Sequence, residues 1–177
     1  ALKALGDKNV KTLTDYRELI QLPEVDIVHI ATPPHWHGIM SVDAARQGKD
    51  IWCEKPMTRT IGEGKKVVEA IKQHGNIFRL NTWFRFEDNF YGMNTEVAKI
   101  KKLVDSGMLG KISHVEMCCY YHMRHNGPLT PQPVPDFLDY EMWTGPAPMR
   151  PYDGLPHTRW WRTFTEYGNG ITGDMCI

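Results

Sequence analysis

Apolar and polar positions follow two rhythms along the first eighty residues. The β-branched run Asp26-Ile27-Val28-His29-Ile30-Ala31-Thr32, with Pro23 before it and Pro33 after it, predicts a buried strand. Asp50-Ile51-Trp52-Cys53-Glu54 and Ile77-Phe78-Arg79-Leu80-Asn81 predict two more. Helical segments lie between them. Residues 38–47 predict a helix stopped by Gly48 in the left-handed conformation. Thr60-Ile61-Gly62-Glu63 is a capping box, and Ile61, Val67, Val68 and Ile71 then recur at helical spacing until Gly75. Upstream, Thr14 is placed to cap a short helix that Pro23 ends. Strand, helix, strand, helix, strand implies right-handed crossovers and a parallel sheet covered on both faces. The fold class is therefore α/β, the C-terminal part of a doubly wound, Rossmann-type domain.

A further helix over 95–106 carries Val97, Ile100, Leu103 and Val104 on one face and ends at Gly107. After Gly110 the pattern changes. Residues 112–121 predict a longer strand, and 127–157 hold eight of the 12 prolines, too many for regular helix or central strand. A boundary near Leu109 divides this partial doubly wound domain, 1–108, from the beginning of a second, substrate-facing α+β domain, 109–177.

Composition narrows the function. At 41% hydrophobic and 24% charged, the chain has the make-up of a soluble globular protein. Lys plus Arg and Asp plus Glu both number 21, so no excess charge draws it to nucleic acid or to an anionic membrane surface. No apolar run approaches the roughly 18 residues of a spanning helix, and Ala1-Leu2-Lys3 lacks the layout of a signal peptide. Cys53, Cys118, Cys119 and Cys176 form no C-x-x-C pair and are expected as free thiols. The neighbours Cys118 and Cys119 point to opposite faces of the expected strand. A reducing, cytoplasmic setting fits, while periplasmic or secreted placement stays open.

Chemistry concentrates where the strands end. In a parallel sheet the ligand occupies the crevice beyond the carboxyl ends. Here those ends are Thr32-Pro33-Pro34-His35-Trp36-His37, Glu54-Lys55-Pro56 and Asn81-Thr82-Trp83-Phe84-Arg85. Parallel strands finish on one edge, so the three segments are expected to build one site. A metal reading of His35-x-His37 or His122-x-x-His125 lacks further ligands at suitable spacing, and no metal is expected.

These segments, with Ser106-Gly107-Met108-Leu109-Gly110-Lys111-Ile112, Trp143-Thr144-Gly145-Pro146-Ala147-Pro148 and Tyr167-Gly168-Asn169-Gly170-Ile171-Thr172-Gly173-Asp174, resemble the glucose-fructose oxidoreductase and inositol dehydrogenase family. The resemblance implies an oxidoreductase that uses NAD or NADP on a cyclic sugar, glycoside or polyol, and a homo-oligomer at full length. Lys55 would be the catalytic lysine. A lysine acts as base where burial and nearby positive charge disfavour its ammonium form, and the alternative is an ordinary surface lysine. Pro56 would follow a cis bond. Asp174 would be a second catalytic residue that also meets substrate hydroxyls, the alternative being a turn aspartate. The same resemblance implies cofactor contacts from Thr32, Pro33, His37, Glu54, Lys55, Pro56 and Asn81. Substrate contacts are expected from Lys55, Arg85, His157, Trp161, Arg162 and Asp174. For His35 and His37 the alternative is a solvated loop, for Glu54 a simple ion pair, and for Trp161 with Arg162 an aromatic packing cluster. Arg79, on its strand, is expected to be structural.

Two departures bear on activity. The family's G-x-G-x-x-G/A turn, which holds pyrophosphate at a helix N-terminus, is missing here. The family's catalytic His would fall at position 178, one beyond Ile177. The chain by itself is therefore expected to be inactive. Two other functions use the same cofactor pocket: glycoside cleavage through transient oxidation and elimination, and a non-catalytic nicotinamide- or sugar-sensing regulator. Lys55 and Asp174 argue against the regulator, because a pure binder has no use for a poised base.

Overall fold

A computed structural model of the chain describes residues 10–82, 93–116, 118, 129–154 and 160–175, with the backbone alone for 93–97. Helix α1 (Tyr16–Leu19) precedes β1 (Ile27–Ile30), α2 (Pro34–Arg46), β2 (Asp50–Glu54), α3 (Ile61–His74), β3 (Phe78–Asn81) and α4 (Met93–Asp105). A short helix α5 (Tyr140–Thr144), a 3-10 turn (Trp160–Thr163) and α6 (Gly170–Met175) follow.

The three strands form a parallel sheet in the order β1-β2-β3, with Ile27 opposite Asp50 and Ile51 opposite Phe78. Consecutive order has a consequence. Each right-handed crossover steps the same way across the sheet, so α2 and α3 fall on the same face. There Val28, Ile30, Ile51 and Cys53 are buried with Ala44, Ala45 and Ala70 as the core. Burying the Cys53 thiol pushes its pKa up to about 12, which makes it inert. The expectation of a sheet covered on both faces does not hold among the described residues: Ile27 (62% exposed), His29, Trp52 (41%) and Arg79 lie open on the other face. Helices reach that face only from strands added in the opposite direction.

Capping chemistry sets the helix limits. Thr60 accepts from the Glu63 amide while the Glu63 carboxylate accepts from the Thr60 amide, and Gly75 closes α3 at φ 73°. Gly48 likewise has φ 71°. Asp15, rather than Thr14, caps α1 by accepting from the Arg17 amide. The apolar face expected of α3 needs correction: Val67 and Ala70 are buried and Ile71 partly so, whereas Ile61 and Val68 face solvent. Positions 67, 70 and 71 form the stripe that meets α2; positions 61 and 68, seven apart, share a flank beside it.

Helix α2 starts four residues before the expected position, so His35 and His37 belong to its first turns and are buried, rather than to a solvated loop. Pro34 occupies the first helical position, where a missing N–H costs nothing and the ring's φ is already helical. In the second half, the strand expected over 112–121 is not formed at its described residues, 112–116 and 118. All of these residues are exposed and none joins a ladder with another described residue. Helix α5 occupies the proline-free interval inside the proline-rich stretch.

Candidate active site

Strand ends β1 and β2 supply one wall of a crevice of about 450 Å³, and the second half of the chain supplies the other. Ala31, Thr32, Pro33 and Pro34 follow β1; Glu54 and Lys55 end and follow β2; Trp143, Trp161, Arg162 and Asp174 face them. The Lys55-Pro56 bond is cis.

The two halves are tied by backbone and aromatic contacts. The His35 amide donates to the Tyr167 carbonyl at 3.2 Å, which uses a donor at the α2 N-terminus that would otherwise face solvent or ligand. His35 Nε2 and Trp36 Nε1 both donate to the Trp143 carbonyl, at 3.0 and 3.1 Å. Around them, the rings of Trp143 and Tyr167 meet edge to face at 4.7 Å between centroids. Asn169 Nδ2 donates to the Thr58 carbonyl and the Arg59 guanidinium to the Thr165 carbonyl. Burial holds His35 below its ordinary pKa, against the opposing pull of the Trp143 and Tyr167 carbonyl contacts, so a neutral ring donating through Nε2 fits this position.

Within the crevice, charges are paired. Lys55 Nζ donates to the Asp174 backbone carbonyl and lies 3.3 Å from Asp174 Oδ1. Arg162 Nε donates to Asp174 Oδ2 at 2.7 Å, and its guanidinium lies 4.1 Å from the Trp161 ring centroid. Asp174 is 5% exposed, so its carboxylate keeps both oxygens on cations in a largely dry setting. Asn81 Nδ2 donates to Glu54 Oε1 at 2.7 Å, and His29 Nε2 approaches the same oxygen at 3.3 Å.

The structure brings Thr32, Pro33, Glu54, Lys55, Trp161, Arg162 and Asp174 to the crevice wall, with Asn81 one contact behind Glu54. His37 is set behind it. Its Nδ1 and Nε2 each lie 2.6 Å from a carbonyl oxygen, of Pro56 and of Thr32, so the ring joins the two strand-end loops. Burial lowers its pKa, and a neutral ring can donate to only one of these carbonyls. Pro56 is buried beside this junction. Arg85 and His157 lie outside the described residues. The sequence reading missed Trp143 as a wall of the crevice: it stood in a recognised motif, yet nothing in the pattern linked position 143 to the end of β1. Among the described residues no cluster of three metal-ligating side chains occurs, and no helix is long and apolar enough to cross a membrane.

A parallel sheet with a polar, charge-paired crevice beyond its strand ends defines a Rossmann-type ligand-binding domain joined to a second α/β segment. Residues 2–82 match the family model described as an oxidoreductase family with an NAD-binding Rossmann fold, and 93–177 match its C-terminal alpha/beta domain. The chain belongs to this GFO/IDH/MocA oxidoreductase family. It is 35% identical over 112 residues to levoglucosan dehydrogenase of Pseudarthrobacter phenanthrenivorans, covering 63% of the chain and 26% of that relative. It is also 35% identical over 97 residues to scyllo-inositol 2-dehydrogenase (NAD(+)) of Bacillus subtilis, covering 55% of the chain and 26% of that relative. Among solved structures, myo-inositol 2-dehydrogenase of Lactobacillus plantarum aligns with a TM-score of 0.50 and 31% identity, over 63% of this chain and 31% of that one. The chain thus spans about a quarter of the length of the curated relatives it matches.

Proposed function

We propose that the protein is an NAD(P)-dependent dehydrogenase acting on a hydroxyl of a cyclic sugar, glycoside or polyol, with Lys55 as the group that takes the hydroxyl proton and Asp174 as its partner. The single observation that carries this reading is the meeting of Lys55 and Asp174 across the crevice at the carboxyl ends of β1 and β2. The crevice fits the cofactor. It opens where the strand-end rule puts a dinucleotide, and Ala31, Thr32 and Pro33 are small enough for a flat ring to approach their backbone.

Bound there, the nicotinamide supplies the acceptor for the hydride that leaves the carbinol carbon. The residues of the chain do the rest. Lys55, once unprotonated, takes the hydroxyl proton as the C–H bond breaks, leaving a carbonyl product and a protonated amine. Asp174 holds Lys55 in place and presents a carboxylate to the substrate hydroxyls. Trp143 and Trp161 give the pocket apolar faces against which the C–H side of a sugar ring packs. Glu54, aimed by Asn81, meets the cofactor ribose.

The test uses the full-length gene product with NAD or NADP and a panel of sugars and polyols. Reduced cofactor is expected to accumulate with at least one of them. Lys55→Met is expected to abolish turnover while cofactor binding persists. Free sugar released from a glycoside without net cofactor reduction would shift the assignment to cleavage by transient oxidation. Undiminished turnover in Lys55→Met would overturn the role given to the lysine.

A further inference from the structure

Arg162 stands out because it lines the crevice yet its inner donor is already engaged. Its Nε reaches Asp174 Oδ2 at 2.7 Å, its plane lies against Trp161, and its side chain is only 21% exposed. The two residues come from different elements, the turn Trp160–Thr163 and helix α6, so their pairing sets how these elements pack. The other carboxylate oxygen is the one that faces Lys55.

We propose that Arg162 is a positioning residue for Asp174, fixing the carboxylate rotamer that leaves Oδ1 for Lys55, rather than a ligand that recognises the substrate. A carboxylate attached through one single bond can rotate, and without a second donor both its oxygens are free to chelate the ammonium group. Such chelation would draw the carboxylate out of the orientation in which Oδ1 alone meets Lys55. Arg162 prevents it by occupying Oδ2 with a donor of fixed direction, since the guanidinium is planar and Trp161 blocks its reorientation. The inference rests on the dehydrogenase reading above, and it alters what that reading asks of Arg162.

The experiment compares Arg162→Ala and Arg162→Gln in the full-length protein with the best substrate of the panel, reading kcat, substrate KM, cofactor affinity and melting temperature. A positioning role predicts that kcat falls by about 10- to 100-fold while substrate KM stays within about threefold. It also predicts that millimolar methylguanidinium restores part of the turnover of Arg162→Ala, because a free guanidinium can refill the site beside Trp161. Gln, which keeps a donor but no charge, is expected to fall between the two and serves if the Ala variant does not fold. A rise in substrate KM at unchanged kcat would assign Arg162 to the substrate and overturn the proposal. Loss of kcat without any methylguanidinium rescue would also overturn it, as simple damage to packing. Lack of turnover by the unsubstituted protein would instead refute the dehydrogenase reading, and this role with it.

Discussion

Lys55 Nζ lies 3.3 Å from Asp174 Oδ1 although 119 positions separate them in the chain, so this contact depends on both halves being docked. Replacing Asp174 by Asn keeps the shape but removes the charge that holds both Lys55 and Arg162. We expect kcat to fall by about 100-fold or more, the range typical of a lost general-base arrangement. The melting temperature should fall as well, because two half-buried cations lose their counter-ion. Turnover within a fewfold of the unsubstituted enzyme, measured by cofactor absorbance, would contradict this.

The Asn81 and Glu54 pair leads to a different expectation. Glu54 is 30% exposed at the side chain, and Asn81 fixes Oε1 with a 2.7 Å bond from the adjacent strand. Asn81→Leu frees the carboxylate to turn toward solvent or His29. A hydrogen bond of this partly exposed kind is worth about 1 kcal/mol, so cofactor affinity should weaken about fivefold. Because Asn81 reaches the crevice through Glu54 and does not contact Lys55 or Asp174 in any described hydrogen bond, kcat should change little. Fluorescence titration with reduced cofactor checks the affinity, and a collapse of kcat with unchanged affinity would contradict the assignment.

Much of this site was legible because parallel strands impose it. Once 26–32, 50–54 and 77–81 are recognised as consecutive strands, Thr32, Lys55 and Asn81 must emerge on one edge. In the structure Glu54 stands opposite Asn81, which brings their side chains together at that edge. What the sequence hid has physical causes. Helix α2 begins at Pro34 because a proline that punctuates a strand also suits the first helical position, and the two roles look alike in sequence. The docking of Trp143, Arg162 and Asp174 against β1 and β2 depends on long-range contacts such as Tyr167 with His35, which no local periodicity encodes. Residues 112–116 show the converse: among the described residues they pair with no neighbour, and strand propensity alone forms no ladder.

His35 and His37 predict how stability responds to pH. In both, burial lowers the pKa from 6.5, so the unfolded chain takes up these protons more readily than the folded one. The neutral rings therefore contribute fully above pH 6.5, and stability is lost as pH falls below it toward the folded-state values. Each unit of depression corresponds to about 1.4 kcal/mol. Glu54, which favours the charged form of His37, reduces the effect, and His37 itself adds to the depression at His35. Thermal melts between pH 7.5 and 5 should show a falling midpoint, and His37→Gln should flatten part of that slope. An unchanged slope in the variant would show that His37 does not titrate with folding.

Gly145 combines backbone strain with steric exclusion. It follows α5 with φ +51°, and a Cβ built on it would run into the Trp36 indole, whose Nε1 is tied to the Trp143 carbonyl. Gly48 offers a control: its φ is +71°, and a Cβ there meets nothing within 4 Å. Gly48→Ala should therefore cost about 1 kcal/mol, the penalty of the left-handed backbone alone. Gly145→Ala should cost about 3 kcal/mol or more, for two reasons: φ +51° with ψ −123° is a backbone region that only glycine adopts readily, and an indole held by a hydrogen bond and packed edge-on against Tyr16 cannot move aside without loosening the joint between the two halves. The same displacement moves Trp143, which lines the crevice, so substrate KM should rise in Gly145→Ala and stay constant in Gly48→Ala. Denaturant unfolding and steady-state kinetics on the two variants measure both effects, and equal losses at the two positions would show that the Trp36 contact contributes nothing to the joint.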